Sequence, residues 1–122
     1  TNHGTCSFEV LDYLSDLHQK NIALFGTCGM GNDPVYFEWI EKQVSALIPE
    51  DNIYLGTFLC QGKMPMHFRN KYQEFLDLGT HDSLARQMLR HFDEALLHPN
   101  EEDYIQAQKF VEEALLKIGT YI

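Results

Sequence analysis

Apolar and polar positions alternate between two periods along this chain. Val10, Leu11, Leu14 and Leu17 recur at helical spacing behind Ser7, which can cap, until the polar residues from His18 onward break the pattern. Residues 21–26 then carry Ile22, Ala23, Leu24 and Phe25 in unbroken succession. A run this short and this continuously apolar has no wet face, which predicts a buried parallel strand. Asp33-Pro34 reads as a helix start, a capping residue followed by proline at the first helical position. Phe37, Ile40, Val44, Leu47 and Ile48 behind it form a stripe for facing a sheet. That helix ends over 49–52, and 53–60, rich in aromatic and branched residues, reads as a second strand. A strand, a helix and another strand make a βαβ unit, whose right-handed crossover leaves the strands parallel.

The rest is helical in pattern. Phe68, Tyr72, Phe75 and Leu76 make a short amphipathic helix ended by Gly79. Asp82 or Ser83 caps the next, with Leu84, Met88, Leu89, Phe92, Ala95 and Leu96 on one face as far as His98-Pro99. Asn100 caps the last. Glu101, Glu102 and Asp103 favour its N-terminal dipole, and Tyr104, Ala107, Val111, Ala114, Leu115 and Ile118 supply its stripe. With no internal repeat or low-complexity tract, the pattern predicts one α/β domain over 1–122, with two core strands and about five helices.

Composition narrows the function classes. At 122 residues, 44% hydrophobic, the chain suits one globular unit. No apolar run approaches the roughly 20 residues of a membrane helix. Thr1 opens a polar turn with neither the basic head nor the apolar middle of a signal peptide, so none is expected. Eighteen acids against nine bases give a net charge of −9. That argues against unaided nucleic-acid binding, which depends on a basic patch, and favours steering toward basic partners. Cys6, Cys28 and Cys60 are odd in number, widely spaced and free of any C-x-x-C. Neither a disulfide framework nor a zinc site is expected, and a reducing cytoplasm is the simplest home.

Candidate chemistry gathers where the first strand ends. Gly26, Gly29 and Gly31 let the backbone turn sharply and approach a ligand, at the junction where open α/β sheets bind theirs. Their spacing, G-x-x-G-x-G, is not the dinucleotide fingerprint, and a plain strand-to-helix turn explains the same glycines. Gln61-Gly62-Lys63-Met64-Pro65 leaves the second strand at the same edge. Cys28 and Cys60 sit at the ends of the two strands; free cysteine is more often a small buried hydrophobe, and Lys63 is the nearest cation to Cys60. Met30, Tyr36 and Trp39 are candidates to stack on a ring, with the first two nearer the loop, although aromatics at helical spacing more often belong to a core. His91 and His98 are seven apart, too far for an i, i+4 metal clamp, and His18, His67 and His81 fall at element ends. No serine lies in G-x-S-x-G, so hydrolysis has no visible nucleophile and no catalytic residue is assigned.

Three stretches together resemble a known family. Gly-Thr-Cys-Gly-Met-Gly at 26–31, Asp-Pro-x-Tyr-Phe at 33–37 and Gly-Thr-Phe-Leu-Cys-Gln-Gly-Lys-Met-Pro at 56–65 resemble the C-terminal half of flavodoxin-like proteins. The closest likeness is to a bacterial branch that includes the flavodoxin-like subunit associated with bilirubin reductase. Phe92-Asp93-x-Ala95-Leu96-x-His98-Pro99, before an acidic helix start, is similar to that branch's C-terminal extension. The resemblance implies a parallel sheet in the order 2-1-3-4-5 that holds FMN at the carboxyl ends of its strands. Residues 21–26 and 53–60 would be its fourth and fifth strands, and the chain a flavodoxin-like domain truncated to its C-terminal half. Thr1, Asn2, His3, Gly4 and Thr5 would then end one loop lying against the flavin ring. Thr27, Cys28, Gly29, Met30 and Gly31, with Asp33 and Tyr36, would belong to the second ring-binding loop. The family's phosphate loop, shaped like T-x-T-G-x-T, has no counterpart in these residues. Gly79-Thr80-His81-Asp82-Ser83 has the composition but follows a helix and carries an acid.

The implied function is FMN-binding electron transfer as part of a longer protein, by a carrier or redox accessory subunit that meets a redox partner protein. The alternative, from a different class, is a non-catalytic remnant or interaction module of the same fold that binds no FMN. A two-stranded sheet leaves an unpaired strand edge, which offers a route to a homodimer.

Overall fold

The computed structural model describes residues 5–29 and 33–121, apart from the side chains of residues 120 and 121. The elements run α1 (Phe8–Ser15), β1 (Asn21–Cys28), α2 (Pro34–Ser45), β2 (Ile53–Gln61), α3 (Met66–Asp77), α4 (Asp82–Ala95) and α5 (Glu101–Tyr121). β1 and β2 pair in parallel, from Asn21 opposite Ile53 to Cys28 opposite Gln61, as the βαβ reading requires. The register steps between Ile22 and Ala23, where Leu55 is the extra residue and Gly56 takes φ +120°. Both strands outlast the stretches expected for them. Gly26 therefore lies within β1 rather than in a turn, and a Cβ there would stand 2.9 Å from Leu59 Cδ2.

Helices cover both faces of the pair. Ile40 of α2, 1% exposed, packs over the face that carries Leu24 and Leu59. On the opposite face Phe110 of α5 meets Phe25 edge-on at 5.2 Å and Phe58 at 6.1 Å. Phe110 was absent from the stripe read for α5, whereas Tyr104, Val111 and Leu115 of that stripe are exposed. The helix is rotated so that its aromatic sits over Gly56, where a Cβ would lie 3.2 Å from the ring. α3 packs against α4, whose buried residues are Ala85, Met88, Phe92 and Ala95.

The helix ends follow from local chemistry. Ser7 Oγ accepts from Val10 N at the start of α1, and Asp33 Oδ1 accepts from Val35 N at 2.9 Å at the start of α2. At α5, Asn100 Oδ1 accepts from Asp103 N while Asp103 Oδ2 accepts from Asn100 N, a reciprocal capping box. Gly79, at φ +68°, ends α3 with its N–H on Leu76 O and the Thr80 N–H on Phe75 O, the paired bonds of a Schellman motif. The expected cap of α4 by Asp82 or Ser83 is not what forms. His81, left-handed at φ 50°, is the N-cap without a side-chain bond, and Asp82 is already helical, where its charge favours the dipole. The other end of the strands is held by Asn52, whose Nδ2 donates to Leu17 O and Pro49 O and whose Oδ1 accepts from Lys20 N.

Candidate functional site

The two strand exits interlock. Gly62 N donates to Cys28 O at 3.1 Å, and Gly62 approaches so closely that an added Cβ would stand 2.7 Å from Thr27 Cβ. Met64 lies against Gly29, where a Cβ would come 2.0 Å from Met64 Cγ. Gln61, 0% exposed, donates from Nε2 to Gly29 O at 3.3 Å and to His91 O at 3.5 Å. Its Oε1 is buried and has no hydrogen-bond partner among the described residues. These contacts join the β1 exit, the β2 exit and His91 of α4 at the rim of the sheet.

The structure brings together part of the residue set read from the sequence. Thr27 and Cys28 close β1, and Gly29 follows at the rim. Tyr36, half-buried on the first turns of α2, stacks on Trp39 at 6.1 Å with 20° between the rings. Burial pushes the Tyr36 hydroxyl up, with a further push from Cys28. The Asp33 carboxylate is engaged in capping α2. Thr5 lines a mainly apolar cavity of about 410 Å³ together with Leu24, Gly26 and Ile40. Thr1, Asn2, His3, Gly4, Met30 and Gly31 lie outside the described residues.

The thiols at the strand ends are quiet. Cys28 is 4% exposed, its Sγ 3.9 Å from Cys60 O, and burial pushes its thiol up to about 11. Burial also raises Cys60, followed by the charge of Asp103; that carboxylate, and not Lys63, is the charged group Cys60 feels. Neither thiol has the electropositive setting of a nucleophile. Cys60 and Asp103 line a second cavity, about 350 Å³, between the sheet and α5. There His98 Nδ1 and Asp103 Oδ2 lie 2.6 Å apart, both residues largely buried.

The sequence reading missed two features here, the Gln61 amide and the His98–Asp103 pair. A signal existed for the first: a glutamine directly after Leu59-Cys60 and before a glycine is a polar residue at the end of a buried run. Among the described residues, no group of three or more His, Cys, Asp or Glu is placed to hold a metal ion. No described helix is long and apolar enough to cross a membrane.

The comparisons agree with this geometry. A family model for the flavodoxin domain matches residues 1–112. The flavodoxin-like domain-containing protein BilS of Clostridioides difficile (strain CD3) is 35% identical over 114 residues, which cover 93% of this chain and 65% of that protein. BilS of Clostridium symbiosum (strain WAL-14163) is 29% identical over 116 residues, covering 91% of this chain and 61% of that one. The chain therefore spans just under two thirds of the length of the curated relatives it matches. With its parallel βαβ core, flanking helices and interlocked strand exits, the chain belongs to the flavodoxin domain family.

Proposed function

We propose that this chain holds the flavin ring of FMN in a flavodoxin-type electron-transfer protein, as a carrier or accessory subunit and not as a stand-alone enzyme. The observation that carries the reading is the interlocked rim, where the backbone of Gly29 is fixed at the carboxyl end of a parallel sheet in a member of this family. The residues present fit a ring better than a phosphate. The rim offers backbone, a neutral buried thiol and the stacked Tyr36–Trp39 pair, and the sequence carries no Ser/Thr-rich loop following a strand.

In this reading Thr27, Cys28, Gly29, Met30 and Gly31, with Asp33 and Tyr36, form one ring-binding segment and Thr1, Asn2, His3, Gly4 and Thr5 another. FMN, when bound, supplies the electron-transfer chemistry. The chain's own part is to orient the ring through backbone amides, to exclude water, and to keep Cys28 protonated at neutral pH, so that no thiolate charge stands against the ring. The net charge of −9 steers a redox partner with a basic face. Three free cysteines suit a reducing cytoplasm. β1, an edge among the described strands with neither a charge nor a proline in Asn21–Cys28, offers a surface for a homodimer.

Titration of the purified chain with FMN and with riboflavin, followed by flavin fluorescence and the visible spectrum, tests the proposal. Both are expected to be quenched, with dissociation constants within about tenfold of each other because the phosphate finds little to hold it. No quenching and no spectral change with either compound overturns the flavin reading and leaves a cofactor-free interaction module.

A further inference from the structure

Gln61 is the one fully buried polar side chain among the described residues, and the reading above gives it no task. Its orientation is fixed by what surrounds it. Gly29 O and His91 O both face Nε2, and an amide turned the other way would set its oxygen against two acceptors. Oε1 is consequently left buried and open. Folded proteins rarely leave such an acceptor unpaired, because it loses its bonds to water and gains none. An apolar side chain of similar length avoids that penalty, so retention of the amide points to something the amide does.

What it does is visible at Gly29. A glycine at the exit of a strand has no side chain to oppose rotation of its peptides, so their orientation must be set from outside. Gly62 N holds Cys28 O at 3.1 Å on the β2 side. Because a trans peptide is planar, with its C=O and N–H opposed, the Gly29 N–H then points away from β2. Gln61 Nε2 in turn holds the Gly29 carbonyl at 3.3 Å. Its second bond, to His91 O, references that orientation to α4.

We propose that Gln61 is a positioning residue for the β1 exit: its carboxamide, between α4 and that exit, fixes the Gly29 carbonyl and thereby orients the Gly29 backbone that meets the ligand. The ligand part rests on the flavin reading of the same rim; the fixing of Gly29 does not. Two variants test it, Gln61→Met, which keeps length and removes both polar atoms, and Gln61→Asn, which keeps the amide but withdraws it from reach. Each is measured by melting temperature, by the carbonyl ¹³C shift and amide order parameter of Gly29, and by FMN titration. Gln61→Met is expected to keep its melting temperature, because the open oxygen goes with the bonds. At Gly29 the carbonyl shift moves and the order parameter falls from about 0.85 toward 0.6. FMN affinity drops about tenfold or more, a loss of orientation without loss of fold. Gln61→Asn is expected to give the same local loosening. An unchanged Gly29 carbonyl shift and order parameter in both variants overturns the proposal, as does a uniform loss of stability with no local change. If the wild-type chain binds no FMN, the Gly29 measurements still decide the positioning role, and the failure falls on the flavin reading alone.

Discussion

Replacing Gly62 with alanine puts the interlock of the two strand exits to a direct test. The added methyl would stand 2.7 Å from Thr27 Cβ, 3.0 Å from its Oγ1 and 3.2 Å from its Cγ2. The nearest of these atoms is fixed to the β1 backbone and cannot swing away by a rotamer change, so the two exits must separate. Overpacking of this kind costs about 1–3 kcal/mol. Separation also stretches the 3.1 Å bond from Gly62 N to Cys28 O, a buried backbone bond whose loss adds roughly 0.5–1.5 kcal/mol. The expected destabilisation is about 2–4 kcal/mol, a large share of the roughly 5–15 kcal/mol that holds an ordinary domain together. Urea unfolding followed by circular dichroism measures it as a lower midpoint at unchanged slope. If Gly62→Ala unfolds within about 0.5 kcal/mol of wild type, the range of an ordinary surface substitution, the interlock is not the constraint described here.

Two other glycines separate conformation from crowding. Gly79→Ala meets nothing within 4 Å but must hold φ +68°, and is expected to lose about 1 kcal/mol from strain alone; Gly119→Ala, on open space inside α5, is expected to gain a few tenths up to about 1 kcal/mol in the same urea series. Thiol titration should find Cys6, half-buried, reacting in the native chain, with Cys28 and Cys60 reacting only on unfolding. The raised Cys28 thiol also sets an alkaline limit. Its contribution to stability is full below the unfolded value near 9, and is lost as pH rises toward about 11, because the unfolded chain releases that proton first. The expected loss between those limits is of the order of 2 kcal/mol, and Cys28→Ala should flatten that part of the profile. Asp103→Ala removes one half of the α5 capping box and the partner of His98, and is expected to cost about 1–2 kcal/mol in thermal unfolding.

Much of the fold was legible because local patterns and tertiary demands agree. The apolar run in β1, the Asp33-Pro34 start of α2 and the Asn100 start of α5 each name their own element, since a short apolar run bounded by turn residues favours a strand and a cap is a short-range bond. The burial expected for β1 is not met, because only Ile22 and Cys28 of the strand are buried and Phe25 is 56% exposed. The glycine, Asp-Pro and Gln-Gly-Lys-Met-Pro stretches resembled the right family, which the match over residues 1–112 bears out. Legibility failed where neighbours decided. Val111 and Leu115 fit a helical stripe as well as Phe110 does, but only the sheet's shape at Gly56 shows which side of α5 turns inward. The start of α4 was misread because Asp82 is a good capping residue in isolation, whereas the turn through Gly79 and His81 delivers the chain already helical at Asp82.

By itself, the sequence determined which segments are strand and helix, that the two strands run parallel, and that their exits share one rim; periodicity, caps and crossover handedness are properties of a chain with its nearest neighbours. Only the tertiary structure decided how that rim is held. The Gly62–Thr27 approach, the Cys28 thiol buried beside Cys60 and the Gln61 amide between Gly29 and His91 join residues about thirty positions apart. Distances and burial across that separation are set by packing, and no local pattern encodes them.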